Sequence, residues 1–206
     1  MISLSTLSPD DKHALRRAIR RARMSLPPAY RQAAAQAVAR HARRFLARGR
    51  RIGGYLAAGS ELDLEPLMSA ALFRGAALFL PKIPERGRRL WFSKLGAADR
   101  WSHHPRYGIA EYHGPVLRAH KLDVLFVPLL GVDEEGYRLG QGGGFYDATL
   151  AFRHRQQHRR RPLLVGVAYD CQRVPRVPRE PWDVQLDYLV TESGLHRFHR
   201  QPIKEE

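Results

Sequence analysis

The residues best suited to chemistry lie in one stretch, Arg138–Asp147, which reads RLGQGGGFYD. Four of the five residues at 140–144 are glycine, which lets the backbone take positive φ angles and approach a ligand closely. Arg138 precedes them and can form forked hydrogen bonds to phosphate oxygens. Asp147 follows them and suits Mg²⁺, which takes one or two carboxylates together with phosphate oxygens. The stretch predicts a phosphate-binding loop, although the glycines alone are equally typical of a tight turn without a ligand.

The position of this loop along the chain favours the phosphate interpretation. A buried strand is predicted to end at Val127-Pro128 and a helix to start at Phe145, so the glycines precede a helix N-terminus, where free N–H groups favour anions. A Walker loop needs lysine and then serine or threonine, where this chain has Phe145-Tyr146, and the dinucleotide fingerprint needs a different glycine spacing. On these residues alone, several phosphate-handling ligases or kinases remain open.

Two amphipathic helices are predicted to open the chain and to help position the loop. Ser8-Pro9-Asp10-Asp11 has a serine N-cap and a proline at the first helical position, and apolar residues then recur at helical spacing as far as Leu26. Pro27-Pro28 ends this helix. The second is predicted from about Tyr30 to Arg48, with Gly49 as its stop.

The apolar pattern then changes to short continuous runs, which are typical of strands buried on both faces. The predicted strands are 51–57, 76–80, 90–93, 122–127, 163–168 and 186–190, with a helix at 64–74. This alternation predicts an α/β fold with a mainly parallel, mixed sheet. The weakly periodic stretch Gly96–Ala119 is expected to be a long surface loop or a partial subdomain.

Composition bounds the class of protein. A chain of 206 residues with 44% apolar residues suits one large globular domain. A single cysteine, Cys171, excludes an intramolecular disulfide framework, and no apolar run is long enough to cross a bilayer. The N-terminus has its charges after a short apolar stretch, which is not the order of a signal peptide. We therefore expect a cytoplasmic protein with no membrane partner.

The net charge of +15 raises an alternative, a basic nucleic-acid-binding protein without catalytic activity. Two runs support it, Arg40–Arg51 and Arg153–Arg161. The first falls on an amphipathic helix whose apolar face is needed for packing, and the second is interpreted as the solvated tail of the helix after the glycines. No helix-turn-helix, zinc-finger or RNP pattern is present, so specific nucleic-acid binding is not expected. Histidines 103, 104, 113 and 120 lack the spacing of a metal site.

The central segment resembles the signature of a known family. RLGQGGGFYDATLA, preceded by LDVLFVPLLGVDEEGYR, is similar to the motif of the 5-formyltetrahydrofolate cyclo-ligase family, also called methenyltetrahydrofolate synthetases. Four further segments match in the family's order: KHALRRAIR, YLAAGSELDLEPL, RYGIAEY and VPREPWDVQLDYLVTESG. The resemblance implies a three-layer, Rossmann-like single domain over 1–206, with the helical segment 1–49 packed on it.

The resemblance also implies a reaction and its partners. Members convert 5-formyltetrahydrofolate to 5,10-methenyltetrahydrofolate and release ADP and phosphate. ATP is the co-substrate and Mg²⁺ the cofactor. The formyl oxygen would attack the γ-phosphate, and ring closure would then expel phosphate from the phosphorylated formyl intermediate. The protein mainly needs to position the reactants and neutralise phosphate charge.

Site residues follow by matching motifs. Lys12 and Arg16 stand one helical turn apart and would clamp the ATP phosphates, although a solvated basic face fits the neighbouring arginines as well. Two residues, Arg138 and Tyr146, are assigned to catalysis. The residues implied for ATP binding are Lys12, Arg16, Arg138, Gly140, Gln141, Gly142, Gly143, Gly144, Phe145 and Tyr146.

Folate and metal residues are implied in the same way. Leu56, Glu61, Tyr146 and Trp182 would contact the folate. A carboxylate suits the N–H edge of a pterin, although a single loop glutamate is more often simply solvated. Asp147 and Asp187 would hold Mg²⁺. By position alone, Asp187 is an ordinary polar residue entering a strand, and only the resemblance suggests a metal ligand.

The chain departs from the family pattern at a few positions. Gln141 stands where an aromatic or basic residue is common, and Gly143 where some members carry lysine, so one ATP contact is expected to be lost or supplied by another arginine. Tyr112 replaces a proline, and Trp182 stands where many members have histidine.

Overall fold

The computed structural model describes residues 11–98, 100–155 and 161–199. Its centre is a mixed sheet in which, within these residues, eight strands follow the order β12-β11-β10-β7-β1-β2-β3-β6. Their bounds are β1 (Arg51–Gly53), β2 (Ala77–Lys82), β3 (Trp91–Lys94), β6 (Val116–Leu117), β7 (Val124–Pro128), β10 (Leu163–Val167), β11 (Tyr188–Thr191) and β12 (Gly194–Arg197). The run from β11 to β2 is parallel, whereas β3 pairs antiparallel with β2, β6 with β3 and β12 with β11. Strands β6 and β12 form the two edges of the sheet. The predicted α/β class with a mainly parallel, mixed sheet is confirmed.

Two apolar layers lie on the two faces of this sheet. Val124 and Phe126 of β7 pack in one cluster, and their neighbours Leu125 and Val127 pack in the other, as the twofold alternation of a strand requires. The described helices are α1 (Lys12–Met24), α2 (Pro28–His41), α3 (Glu65–Phe73), α4 (Phe145–Leu150) and α5 (Phe152–Arg155). Helices α2 and α3 contribute to the first layer, and Leu150 at the end of α4 contributes to the second. The continuous apolar runs thus reflect strands covered on both sides.

Helix α1 begins at a different cap from the one predicted. The Asp11 side chain accepts hydrogen bonds from the backbone N–H groups of His13 and Ala14, both at 2.8 Å, so Asp11 is the N-cap. The predicted cap, Ser8, lies outside the described residues. Leu15 and Ile19 are buried at a spacing of four residues and fix the inward face of the helix.

Helix α2 is shorter than predicted. It ends at His41, a 3-10 turn covers Ala42–Phe45, and the chain reaches the expected stop at Gly49 with φ of 76°. Phe45 and Leu46 are buried, so the apolar pattern that predicted a helix as far as Arg48 belongs to a tighter turn anchored in the core.

Strand β1 also ends early, and this matters for the site. Gly54 still donates to the Phe79 carbonyl at 2.9 Å, but the chain then leaves the sheet as the loop 55–61. The predicted strand 51–57 therefore supplies only its first half to the sheet. Its second half carries Leu56 towards the carboxyl ends of the parallel strands.

The stretch 96–119 forms a partial subdomain rather than a plain loop. Strands β4 (Trp101–His103) and β5 (Ala110–Tyr112) pair as an antiparallel hairpin. Trp101 and Tyr112 pack edge to face across it, with ring centroids 5.2 Å apart. Strand β5 of the hairpin contacts β2 of the main sheet.

A second small pair, β8 (Gly131–Val132) with β9 (Arg138–Leu139), follows the end of β7 and leads directly into the glycine loop. Among the described residues, no helix combines the length and the apolar character needed to cross a membrane.

Candidate active site

A pocket of about 520 Å³ opens at the carboxyl edge of the parallel strands. This is the edge at which ligands bind in open α/β sheets. Its walls come from the ends of β1, β2 and β7, from the glycine loop and α4, and from the segment 178–183. The predicted site residues that line it are Lys12, Arg16, Leu56, Glu61, Arg138, Gly140, Gln141, Gly142, Gly143, Gly144, Phe145, Tyr146, Asp147 and Trp182. The structure thus brings together every predicted site residue except Asp187.

The glycine loop has the conformation that its composition predicts. Gly142 and Gly144 have φ of 105° and 68°, angles that side-chain-bearing residues rarely adopt. Arg16 of α1 crosses to this loop and donates from Nε to the Gly140 carbonyl at 3.0 Å. Helix α1 is therefore tied to the loop, and the remaining guanidinium nitrogens of Arg16 face the same region.

Arg138 and Asp147 form an ion pair at the base of the loop. The Arg138 side chain is 4% exposed and Asp147 is 37% exposed, so the pair has a buried cation and an accessible carboxylate. Arg138 also donates to the Val184 carbonyl at 3.0 Å. Burial lowers the pKa of the guanidinium, and Asp147 and Asp183 act against that shift. Arginine still remains charged at neutral pH, so Arg138 is a fixed positive charge under the pocket.

Tyr146 presents a hydroxyl group with free hydrogen-bonding capacity. Its oxygen is buried and has no hydrogen-bond partner among the described residues. Burial raises the pKa of this phenol, so it stays protonated and can act as a donor. An unpaired buried hydroxyl is costly and unusual, and in a pocket wall it points to a ligand contact.

Glu61 lines the same pocket from the loop after β1. The backbone N–H of Ala58 donates to its carboxylate at 3.0 Å, and Gln141 Nε2 lies 3.4 Å from it. Gln141 also accepts from Arg20 at 2.7 Å. Gln141 therefore links the glycine loop to Glu61.

The loop that carries Glu61 rests on a buried cation. Arg23 is 3% exposed and donates from Nε to Ser60 Oγ at 2.9 Å. Burial lowers the Arg23 pKa, and the charge of Glu61 counteracts that shift. Arg23 thus fixes the position of the loop immediately before Glu61.

Lys12 is already paired in the pocket. Its Nζ lies 2.8 Å from Glu180 Oε1, in the segment 173–187 that precedes β11. The side chains are 27% and 41% exposed, so the pair is accessible and can exchange partners. Asp133 holds this segment, accepting from Val177 N–H at 3.3 Å and from Arg179 at 2.9 Å.

Asp187 lies at the amino ends of the parallel strands, on the side of the sheet away from the pocket. It immediately precedes β11, so it stands at the amino edge of the parallel strands and does not line the pocket. Its carboxylate accepts from Arg153 at 3.2 Å and from the Leu164 N–H at 2.8 Å. The structure does not bring Asp187 to Asp147, with which it was expected to share Mg²⁺, because its place at a strand entrance directs it away from the pocket.

Several pocket residues were not predicted from sequence, among them Asp183, Tyr107 and Glu111. Asp183 lines the pocket four residues before Asp187, and Tyr107 and Glu111 reach it from the β4–β5 hairpin. Tyr107 packs edge to face on Phe145, with centroids 5.8 Å apart. The Glu111 carboxylate accepts from the Ile83 N–H at 2.7 Å and ties the hairpin to the end of β2. A usable signal existed for Asp183, since it precedes the strand by several residues and so belongs to the incoming loop.

The second basic run is not a solvated tail throughout. Arg153 is 7% exposed and pairs with Asp187, so its role is structural. Residues 156–160 of that run lie outside the described residues. The described part of the chain contains no cluster of three or more histidine, cysteine or acidic side chains able to hold a metal ion.

Together, the sheet and its pocket define an α/β protein with a glycine loop and a buried arginine on one wall and a carboxylate on the other. Comparison with known proteins gives the family. The model of the 5-formyltetrahydrofolate cyclo-ligase family matches residues 8–192. This chain belongs to the 5-formyltetrahydrofolate cyclo-ligase family.

Individual relatives agree with this assignment. The chain is 37% identical over 148 residues to the 5-formyltetrahydrofolate cyclo-ligase of Escherichia coli, covering 68% of this chain and 77% of that protein. It is 32% identical over 192 residues to the enzyme of the same name from Haemophilus influenzae, covering 89% and 100%. The solved structure of Aquifex aeolicus 5,10-methenyltetrahydrofolate synthetase superposes with a TM-score of 0.73 at 30% identity, over 95% of this chain and 96% of that one. The resemblance found from sequence, and the ligase class it implied, are confirmed.

Proposed function

We propose that this protein catalyses the ATP-dependent cyclisation of 5-formyltetrahydrofolate to 5,10-methenyltetrahydrofolate, with release of ADP and phosphate. The observation that carries the proposal is that one pocket is lined by both the glycine loop with Arg138 and the loop with Leu56 and Glu61. Residues suited to phosphate and residues suited to a donor-rich ring therefore share one pocket. Family membership favours this reaction over the nucleic-acid-binding alternative.

The proposed reaction has two steps. The formyl oxygen attacks the γ-phosphorus of ATP, the bond to the bridging oxygen breaks, and ADP leaves. The folate N10 then attacks the activated formyl carbon, and the oxygen departs as part of inorganic phosphate. Phosphorylation converts a poor leaving group into a good one, so the protein mainly has to align the reactants and stabilise phosphate charge.

On the phosphate wall, we assign the binding of the nucleotide to Lys12, Arg16, Arg138 and the glycine loop. Lys12 would exchange Glu180 for a phosphate oxygen, which the exposure of that pair allows. Arg138 supplies a fixed charge that needs no reorganisation during the reaction. The Tyr146 hydroxyl, unpaired among the described residues, would contact the transferred phosphate or the formyl group.

On the folate wall, the Glu61 carboxylate would accept hydrogen bonds from the pterin. Leu56 supplies apolar contact, and Trp182, 58% exposed at the rim, offers a flat face for stacking. Asp133 and Arg23 contact no ligand in this scheme and act by holding the loops that carry Glu180 and Glu61.

The residues present fit a Mg²⁺ ion held by Asp147 and Asp183. Both carboxylates line the pocket, and both act electrostatically on Arg138. Asp147 is engaged through Oδ1 and Asp183 through Oδ2, which accepts from the Glu180 N–H at 2.7 Å, so within the described residues each has a second oxygen available. Mg²⁺ favours such a site of one or two carboxylates completed by phosphate oxygens, whose negative charge it would neutralise.

The test is a turnover assay on the purified protein. With Mg-ATP and 5-formyltetrahydrofolate, the absorbance of the methenyl product should appear and should depend on ATP. An equimolar yield of ADP should accompany it. Absence of ATP-dependent product formation would show the proposed reaction to be wrong.

A further inference from the structure

The glycine loop is bracketed by two guanidinium groups. The Arg16 Cζ lies 4.0 Å from the position that a Cβ on Gly142 would occupy. The Arg88 Nη1 lies 3.2 Å from the corresponding position at Gly144. Both positions lack a side chain and have positive φ, so two cations come close to exposed backbone of the glycine loop.

Arg88 reaches this position from a loop that is otherwise fixed. It lies between β2 and β3, and two residues later the Leu90 N–H donates to Thr149 Oγ1 of α4 at 2.9 Å. Arg118 donates to the Arg89 carbonyl at 2.9 Å and stacks over Trp91, 3.3 Å from the ring centroid. The end of the loop is therefore tied to the helix that follows the glycines, which keeps Arg88 over Gly144.

The balance of charge in the pocket makes an extra cation necessary. Among the described residues that line it, five carboxylates face three cations. Two of the three, Lys12 and Arg138, are already paired with Glu180 and Asp147. A triphosphate entering this pocket would meet few uncommitted positive donors from the lining residues themselves.

Arg88 supplies such a donor. Within the described ranges it makes no ion pair and no hydrogen bond, and its side chain is exposed. It lines a second hollow of about 550 Å³ that shares Ile83 with the main pocket. An arginine with an uncommitted fork is well suited to phosphate oxygens.

We propose that Arg88 is a phosphate-binding residue of the nucleotide site, placed beside Gly144 as Arg16 is placed beside Gly142. This inference rests on the proposed function, since it deepens the binding of ATP at the same site. Arg88 contacts the phosphate chain and not the folate, so its loss should weaken the nucleotide alone.

The matched control lies on the same loop. Arg86 has the same charge and is also exposed, but it makes no comparable approach to the glycines. We compare Arg88→Ala, Arg88→Lys and Arg86→Ala with the wild type, measuring KM for Mg-ATP and for 5-formyltetrahydrofolate in turn. Because the Arg88 side chain has no partner within the described ranges, its replacement should leave the thermal unfolding midpoint unchanged.

Arg88→Ala should raise KM for Mg-ATP about tenfold, the size of one charge-assisted hydrogen bond. Arg88→Lys should recover part of this loss, since lysine keeps the charge without the fork. Arg86→Ala should change KM for Mg-ATP less than about twofold, and KM for the folate should stay constant throughout. An unchanged KM for Mg-ATP in Arg88→Ala, or an equal rise in Arg86→Ala, would overturn the proposal.

The same variants are compared by calorimetric titration with Mg-ATP, which needs no turnover. If the wild type binds Mg-ATP but makes no methenyl product, the proposed function fails while the role of Arg88 is still decided by the titration. If the wild type turns over and Arg88→Ala binds Mg-ATP normally, only the role of Arg88 is wrong.

Discussion

Two aspartate–arginine pairs lie at opposite edges of the parallel strands, and they differ in what surrounds them. At the carboxyl edge, Asp147 pairs with Arg138 and keeps 37% of its side chain exposed to the pocket. At the amino edge, Asp187 pairs with Arg153, with side chains 11% and 7% exposed. Asp187 also accepts the Leu164 N–H, so both of its oxygens serve the fold.

The difference shows that the role of an aspartate–arginine pair depends on how many carboxylate oxygens stay free to bind a ligand, and not on the residue types alone. Within the described residues, Asp147 uses one oxygen on Arg138 and leaves the other towards the pocket. Asp187 uses both oxygens on the protein. Only the first pair can add a ligand without losing a contact that the fold needs.

Asp147→Asn should produce the largest effect. It removes a negative charge from the proposed metal site and should lower turnover about 100-fold, as the loss of one electrostatic contact to a transition state commonly does. It should also raise the Mg²⁺ concentration needed for half-maximal rate. Steady-state kinetics over a Mg²⁺ titration measure both, and wild-type behaviour at limiting Mg²⁺ would refute the role of Asp147.

Asp183→Asn and Asp187→Asn form a matched pair that sharpens the comparison. Asp183→Asn should raise the Mg²⁺ requirement as Asp147→Asn does, because Asp183 lines the pocket. Asp187→Asn should instead lower the free energy of unfolding by about 2 kcal/mol, since it removes the carboxylate charge that pairs with the buried Arg153. That corresponds to roughly 4–8 °C in the unfolding midpoint.

Denaturation and kinetics of the same preparations separate these outcomes. The rate and Mg²⁺ dependence of Asp187→Asn should stay within about twofold of wild type. If Asp187→Asn changed the Mg²⁺ requirement without a loss of stability, Asp187, and not Asp183, would belong to the metal site.

The two edges also show how far the sequence determines the site. The glycine loop could be predicted because its conformation and its charges are carried by adjacent residues, from Arg138 to Asp147. Asp187 was assigned by resemblance to a motif, whereas its position before β11 already indicated the amino edge of the sheet. For that residue, strand direction was the better guide.

Other parts of the fold could not be predicted for physical reasons. β8 and β9 are each two residues long, which is too short for any periodicity to appear. Tyr107 reaches the pocket only because the β4–β5 hairpin folds back on Phe145, a contact between residues 38 apart in the chain. Such long-range contacts leave no local pattern in a single sequence.

Glu61→Gln tests whether the folate wall is distinct from the phosphate wall. The change keeps the shape of the side chain and removes its charge, so KM for 5-formyltetrahydrofolate should rise about tenfold. KM for Mg-ATP should stay within about twofold. Glu65→Gln, on the exposed side of α3, is the control and should change neither. A joint rise in both constants would mean that the two walls do not act separately.

Tyr146→Phe should have the smallest effect on the rate and a diagnostic effect on stability. Removing one neutral donor should lower kcat about fivefold. Because the hydroxyl is buried without a partner among the described residues, its removal should not lower the free energy of unfolding and should raise it by up to about 1 kcal/mol.

Tyr55→Phe is the matched comparison for that variant. The Tyr55 hydroxyl is also buried but donates to the Leu62 carbonyl at 3.0 Å, so its removal leaves an unpaired acceptor. This variant should lose about 1 kcal/mol in urea denaturation. The two tyrosines then repeat, with neutral groups, the contrast between the two aspartates. The Tyr146 hydroxyl, which is unpaired among the described residues, is available to a ligand, whereas the Tyr55 hydroxyl, which is paired with Leu62, stabilises the fold. Equal loss of stability in both variants would show that Tyr146 has a partner within the fold, and its hydroxyl would then not be available to a ligand.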